Sequence, residues 1–209
     1  MREVVEVFPA KGAVEIRENL KRAKTGHSLA SLKREKLVFA VGGFNGKQQL
    51  KDVELYHTAT QKWEWFSPIS TKRSNVGVVG VDPWQILYVF GGFSDPKGVL
   101  ATAERFDYRN PGKGWRKFEV QLDDWHALEN PRAAQLAKDR VIVFGGNNSS
   151  DTFQLVFGRD GVVTHAELAD CYLDAPTAHK RVGRRIFASS ANLGVLVLGG
   201  RECNWVKNQ

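Results

Sequence analysis

The residues of this chain that could carry chemistry do not form a known catalytic or metal-binding pattern. Five histidines are present, but none has the H-E-x-x-H spacing that brings two imidazoles to one face of a helix. The sequence also lacks a G-x-S-x-G nucleophile elbow and a G-x-x-x-x-G-K-[ST] phosphate-binding loop. Asp123 and Asp124 lie near His126, in a segment typical of an exposed connection. We therefore predict no catalytic residue, no metal site and no cofactor.

Basic side chains, in contrast, recur in the segments 20–28, 70–77, 130–135 and 178–185. The chain has 30 Lys and Arg against 23 Asp and Glu, a formal net charge of +7, which favours an acidic partner. Arginine binds carboxylates with two parallel hydrogen bonds, so an acidic peptide or protein surface is a suitable partner. An alternative is that these residues are solvated or bind backbone carbonyls at strand ends. The predicted partner-binding residues are Lys24, Arg73, Arg132, Arg181 and Arg184.

The elements that would position these segments are marked by glycine pairs. Four apolar runs end in Gly-Gly, and successive pairs, which begin at Gly42, Gly91, Gly145 and Gly199, are about fifty residues apart. Within each unit, short stretches of alternating apolar and polar residues are separated by turn signals, which predicts antiparallel strands. Four such strands per unit, with almost no helical periodicity, predict one propeller blade per repeat.

The units resemble kelch repeats, in which an apolar strand ending in Gly-Gly is followed by a tyrosine and then by a tryptophan. The first unit has Tyr56 and Trp63 at these places, and the second has Phe106 and Trp115. The third and fourth units keep the glycine pair but lack the later residues. The resemblance implies an all-β, kelch-type β-propeller that acts as a non-catalytic protein-protein interaction module. It also implies that arginines before the first strand of a repeat help to bind an acidic peptide.

We predict a single propeller domain over residues 1–209, with about four blades of four antiparallel strands. Three blades would span 19–68, 69–120 and 121–179. The fourth would combine residues 1–18 with 180–209, because Val4–Phe8 aligns with a third strand and residues 186–200 with the first two strands. Such sharing would leave no exposed sheet edge where the ring closes. A closed four-bladed ring is favoured; an eight-bladed ring in a homodimer and a fragment of a longer protein remain open.

Composition and hydropathy indicate the cellular environment of the protein. The mean hydropathy is −0.35, and no apolar run approaches the ~20 residues that cross a bilayer. The first residues lack the features of a secretory signal, and only Cys171 and Cys203 are present, so we expect a cytoplasmic, reducing location and no membrane partner. A second hypothesis is a structural subunit of an RNA-containing assembly. The sequence does not favour it, because it lacks the combined aromatic and basic motifs that stack on bases. An enzyme on a propeller scaffold is the least favoured.

Overall fold

The computed structural model describes residues 4–8, 13–146, 149, 151–168, 184–188 and 195–199. In these ranges the regular structure is strand, apart from two short 3₁₀ turns at Asp82–Trp84 and Pro111–Lys113. The all-β class predicted from the repeats is confirmed.

Three sheets have four antiparallel strands each, and their strands follow one another along the chain. Sheet 1 contains β3 (Ser28–Leu32), β4 (Leu37–Val41), β5 (Val53–His57) and β6 (Lys62–Phe66). Sheet 2 contains β7 (Gly77–Val81), β8 (Ile86–Phe90), β11 (Ala103–Asp107) and β12 (Arg116–Phe118), with a ribbon of β9 (Phe93–Ser94) and β10 (Gly98–Val99) between β8 and β11. Sheet 3 contains β13 (Arg132–Ala137), β14 (Arg140–Phe144), β15 (Thr152–Phe157) and β16 (Val163–Leu168). Each of these sheets is one blade of the predicted kind.

The three sheets pack face to face, and the core lies between them. One apolar cluster joins sheets 1 and 2 and includes Phe39 and Phe106, which are 0% and 1% exposed. A second cluster joins sheets 2 and 3 and includes Phe90 and Phe153, both fully buried. Burying a side chain of this size contributes about 1.5–3 kcal/mol, so the faces between blades are where most of the stability arises. The first strands of the sheets, β3, β7 and β13, lie next to one another in that order.

The ends of the chain form two further hairpins. Strands β1 (Val4–Phe8) and β2 (Ala13–Arg17) pair with each other, as do β17 (Arg184–Ala188) and β18 (Val195–Gly199). Strand β17 lies beside β13 and so continues the row of first strands. Within the described residues β1 and β18 belong to separate two-stranded sheets. The composite closing blade and the blade boundaries therefore remain predictions.

The glycine pairs mark the places where one sheet meets the loop that leads into the next. Gly42 and Gly91 have φ values of +65° and +58°, which L side chains rarely adopt. A Cβ atom on Gly42 would lie 2.4 Å from the carbonyl oxygen of Arg73, and one on Gly91 would lie 2.5 Å from that of Leu128. The next residue, Gly43, donates its N–H to the Arg73 carbonyl at 2.9 Å. The pairs thus allow neighbouring sheets to approach closely.

Candidate functional site

The connections between strands divide into two opposite faces of the sheet stack. Segments 42–52, 67–76, 91–102 and 119–131 follow second or fourth strands and form what we call the loop face. Segments 33–36, 58–61, 82–85, 108–115, 138–139 and 158–162 follow first or third strands and form the turn face. Segment 18–27, which enters β3, belongs to the loop face, because Asn75 donates its N–H to the carbonyl of Gly26 at 2.7 Å.

Lys24 lies in the segment before β3, and its side chain enters sheet 1. It is 1% exposed, and its Nζ lies 3.0 Å from Oε1 of Glu54, which is fully buried on β5. Glu54 Oε2 accepts a hydrogen bond from the backbone N–H of Lys21 at 2.5 Å. Burial lowers the pKa of Lys24, and the Glu54 carboxylate opposes this shift. The lysine is thus part of an internal ion pair.

Arg73 repeats this arrangement in sheet 2. Its side chain is fully buried, and Nη2 donates to Oε1 of Glu104, also fully buried, at 2.8 Å. Its Nη1 donates to the carbonyls of Gly91 and Thr102 at 2.9 and 3.0 Å. Glu104 also accepts hydrogen bonds from the backbone N–H groups of residues 70 and 71. Burial lowers the pKa of Arg73, and the charge and hydrogen bond of Glu104 oppose that shift.

These placements correct the expectation that Lys24 and Arg73 lie on an exposed basic surface. A charge moved out of water requires a close partner of opposite sign, and the third strands of sheets 1 and 2 each supply a glutamate. The two cations therefore stabilise the blades and do not present their charge to solvent. The alternative reading, that some of these residues bind backbone carbonyls at strand ends, describes Arg73 correctly.

At the equivalent positions sheet 3 has two apolar residues of the same core cluster. Leu128 occupies the position of Arg73, because its carbonyl accepts the N–H of Gly92 just as the Arg73 carbonyl accepts that of Gly43. Phe153 pairs with Val143 on β14 at the register position where Glu104 pairs with its own neighbour on β8. Leu128 and Phe153 are both fully buried. Sheets 1 and 2 thus have both the cation and the glutamate, and sheet 3 has neither. This co-occurrence is a signal in the sequence that could have identified the internal pairs.

The other predicted partner-binding residues have different positions. Arg132 begins β13, is partly buried and donates from Nη1 to the carbonyl of Pro131 at 3.0 Å. Arg184 begins β17, where its backbone pairs with Gly199. Arg181 lies outside the described residues. A role in partner binding remains a prediction for these three arginines.

Two further cations of the loop face, Lys21 and Arg22, also have partners. Lys21 Nζ lies 3.1 Å from Glu18, and Arg22 Nη1 lies 2.6 Å from Asp52. The Arg22 guanidinium also lies 5.4 Å from the ring centre of Trp65, an attractive cation–π distance. These contacts reduce the positive charge that Lys21 and Arg22 present on this face.

The side chains in and around the carboxylate-rich segment 123–130 make structural contacts. His126 Nε2 lies 3.6 Å from Asp151, whose carboxylate accepts a hydrogen bond from the hydroxyl of Ser149 at 2.7 Å. The hydroxyl thus contacts a carboxylate and not an imidazole, unlike a serine nucleophile with its base. Among the described residues no group of three His, Cys, Asp or Glu side chains could hold a metal ion. In that same part of the chain, no helix has the length and apolar character needed to cross a bilayer.

Comparison with known proteins agrees with the repeat pattern. A model of the kelch motif matches residues 35–64, from the end of the β3–β4 turn into β6. The chain is 32% identical over 94 residues to Kelch repeat-containing protein kel-10 of Caenorhabditis elegans, which is 45% of this chain and 14% of that protein. It is 37% identical over 79 residues to Kelch-like protein 41a of Danio rerio, which is 37% of this chain and 13% of that protein. Residues 35–64 thus form a kelch motif, and the repeat units around them resemble it.

The aromatic residues of its kelch repeats pack within the blades. Tyr56 and Trp63 are 8% and 4% exposed, and their ring centres are 5.0 Å apart. Phe106 and Trp115 form the equivalent pair in sheet 2, with ring centres 5.4 Å apart. These aromatic residues therefore belong to the scaffold of the sheets. The matches cover a small fraction of each relative's length, so they identify the repeat and leave the partner to be determined.

Proposed function

We propose that this chain is a non-catalytic protein-protein interaction module whose partner is an acidic peptide or protein surface. Its kelch repeats relate it to a family of interaction modules. Glycine pairs, aromatic rings and two internal ion pairs build its sheets, so recognition falls to the connecting segments, as is usual for rigid β scaffolds. The observation that carries the proposal is the net charge of +7, which the two internal pairs leave unchanged because each is neutral.

On the loop face, we propose that Arg132, Arg181 and Arg184 contact the partner. They lie at or just before the start of the first strands of two successive repeats, close to the position from which kelch domains that resemble this one present arginine to acidic peptides. An arginine there can bind a carboxylate in a bidentate manner. The partner class includes a short acidic motif and the acidic surface of a larger assembly.

The test is binding of a fluorescent peptide rich in Asp and Glu, followed by anisotropy at two salt concentrations. A second peptide, in which Asn and Gln replace every carboxylate, is the control for charge. We expect the acidic peptide to bind more tightly at low salt, and the neutral peptide to bind weakly at both concentrations. Equal affinity for the two peptides would refute an acidic partner. The triple variant Arg132→Glu, Arg181→Glu, Arg184→Glu tests the loop-face residues separately.

A further inference from the structure

Exposed cations gather on the turn face, opposite the segments in which the sequence predicted them. They come from the turns of sheets 1, 2 and 3, and no ion pair in the described part of the chain involves them. These exposed cations are Lys33, Arg34, Lys36, Lys113, Lys138, Arg140 and Arg159.

Three of the carboxylates on this face organise the turns themselves, and Glu35 accepts a hydrogen bond from the side-chain amide of Gln85. Asp82 Oδ1 accepts the backbone N–H of Lys33 at 2.5 Å, and Asp160 Oδ1 accepts that of Val162 at 3.1 Å. Asp107 binds Arg109 at 2.9 and 3.1 Å through both of its oxygens. Backbone amides and one local arginine therefore satisfy these acids, and the exposed cations stay unpaired. On the loop face, Lys21, Arg22, Lys24 and Arg73 each have a carboxylate partner, whereas the exposed Lys47, Lys51 and Lys97 have none within the described residues.

Hydrogen bonds between sheets join the turns into one surface. The contact between Asp82 and Lys33 links the turn of sheet 2 to that of sheet 1. Arg105 Nη1 donates to the carbonyl of Asp160 at 2.7 Å, and the Tyr88 hydroxyl donates to that of Gly161 at 3.0 Å; both link sheet 2 to sheet 3. The backbone that carries the cations is thus held in place before any partner arrives, which reduces the entropy lost on binding.

We propose that the turn face is a second binding surface, which takes an extended acidic segment of a protein partner. The inference takes the class of partner from the proposed function but places the contact on a different face. An extended segment fits because the cations are spread over the turns of successive sheets and do not converge on a pocket.

The aromatic residues of this face favour an acidic protein segment over a single-stranded nucleic acid. Trp84 is buried, and the ring of Tyr108 packs 6.2 Å from that of Phe39 in the core. Trp115 is partly buried and donates its Nε1–H to the carbonyl of Ser67 at 2.8 Å. These rings face inward, whereas base recognition in single strands relies on exposed rings for stacking.

The experiment compares two sets of charge reversals that change the net charge equally. The turn-face set is Arg34→Glu, Arg140→Glu, Arg159→Glu, and the control set on the loop face is Lys47→Glu, Lys51→Glu, Lys97→Glu; all six residues are exposed. Binding of the Asp- and Glu-rich peptide and of a single-stranded oligonucleotide is measured by anisotropy. Circular dichroism and urea unfolding verify that every variant is folded. We expect the turn-face set to weaken peptide binding by about tenfold or more, and the control set by less than about twofold.

The other outcomes separate this inference from the proposed function. If both sets weaken binding equally, net charge alone acts and the turn face is not a site. If the wild-type chain binds the peptide and the turn-face set has no effect, the proposed function stands and the second surface is wrong. If the wild type binds the oligonucleotide but not the peptide, or binds neither, both proposals fail.

Discussion

Replacement of Arg73 by leucine is expected to destabilise sheet 2 strongly. Arg73 and Glu104 are both fully buried, so Arg73→Leu would leave a carboxylate in the interior without its guanidinium. The carbonyls of Gly91 and Thr102 would also lose their donor. Removal of one partner of a buried pair lowers the free energy of unfolding by about 3–5 kcal/mol, because the remaining charge is uncompensated. This is a large part of the roughly 5–15 kcal/mol that stabilises a typical domain.

Sheet 3 provides the compensating change. The double variant Arg73→Leu, Glu104→Phe would introduce the residue types of Leu128 and Phe153 at the equivalent positions and remove both charges at once. Buried ion pairs are often replaced by apolar residues at little loss of stability. We therefore expect the double variant to lose less stability than the sum of the two single variants, with a coupling energy of about 1.5–3 kcal/mol.

The measurement is urea unfolding of the wild type, both single variants and the double variant, monitored by tryptophan fluorescence and far-ultraviolet circular dichroism. Arg116→Leu, at an exposed position on β12, is the control and should change the free energy of unfolding by no more than about 0.5 kcal/mol. If a single variant does not fold, Glu104→Gln keeps the hydrogen-bond acceptor and gives a measurable loss. The reasoning is refuted if Arg73→Leu costs less than about 1 kcal/mol, or if the single losses are additive.

Two further predictions concern stability. Gly42→Ala should lower the melting temperature, since its Cβ would lie 2.4 Å from a carbonyl oxygen at a φ of +65°, whereas Gly112→Ala, with no atom within 4 Å, should not. Burial and the neighbouring ammonium group of Lys24 lower the pKa of His27 below 6.5, so the unfolded state binds a proton at this imidazole more readily than the folded state. The free energy of unfolding should therefore fall as the pH drops through 6.5. Urea unfolding at several pH values can test this, and the fall should be smaller in His27→Gln.

The sequence alone determined the repeat and the blade because both depend on local requirements. A strand with one buried face needs alternating residues, and a backbone with positive φ that approaches another chain segment needs glycine, as at Gly42 and Gly91. These patterns can be read from residues close together in the chain. The aromatic pair of Tyr56 and Trp63 follows the same logic, since the two residues face each other across neighbouring strands.

Only the tertiary structure decided which basic residues remain exposed. Lys24 and Arg73 lie in the same kind of basic segment as Lys21 and Lys72, and no neighbouring residue distinguishes the buried cations from the exposed ones. The distinction comes from glutamates two strands further along the chain, which the fold brings within hydrogen-bond distance. The position of a charge depends on the free energy of its contacts with distant residues, because burial without a partner is prohibitive. For this reason composition predicted the sign of the surface charge, while folding determined its location.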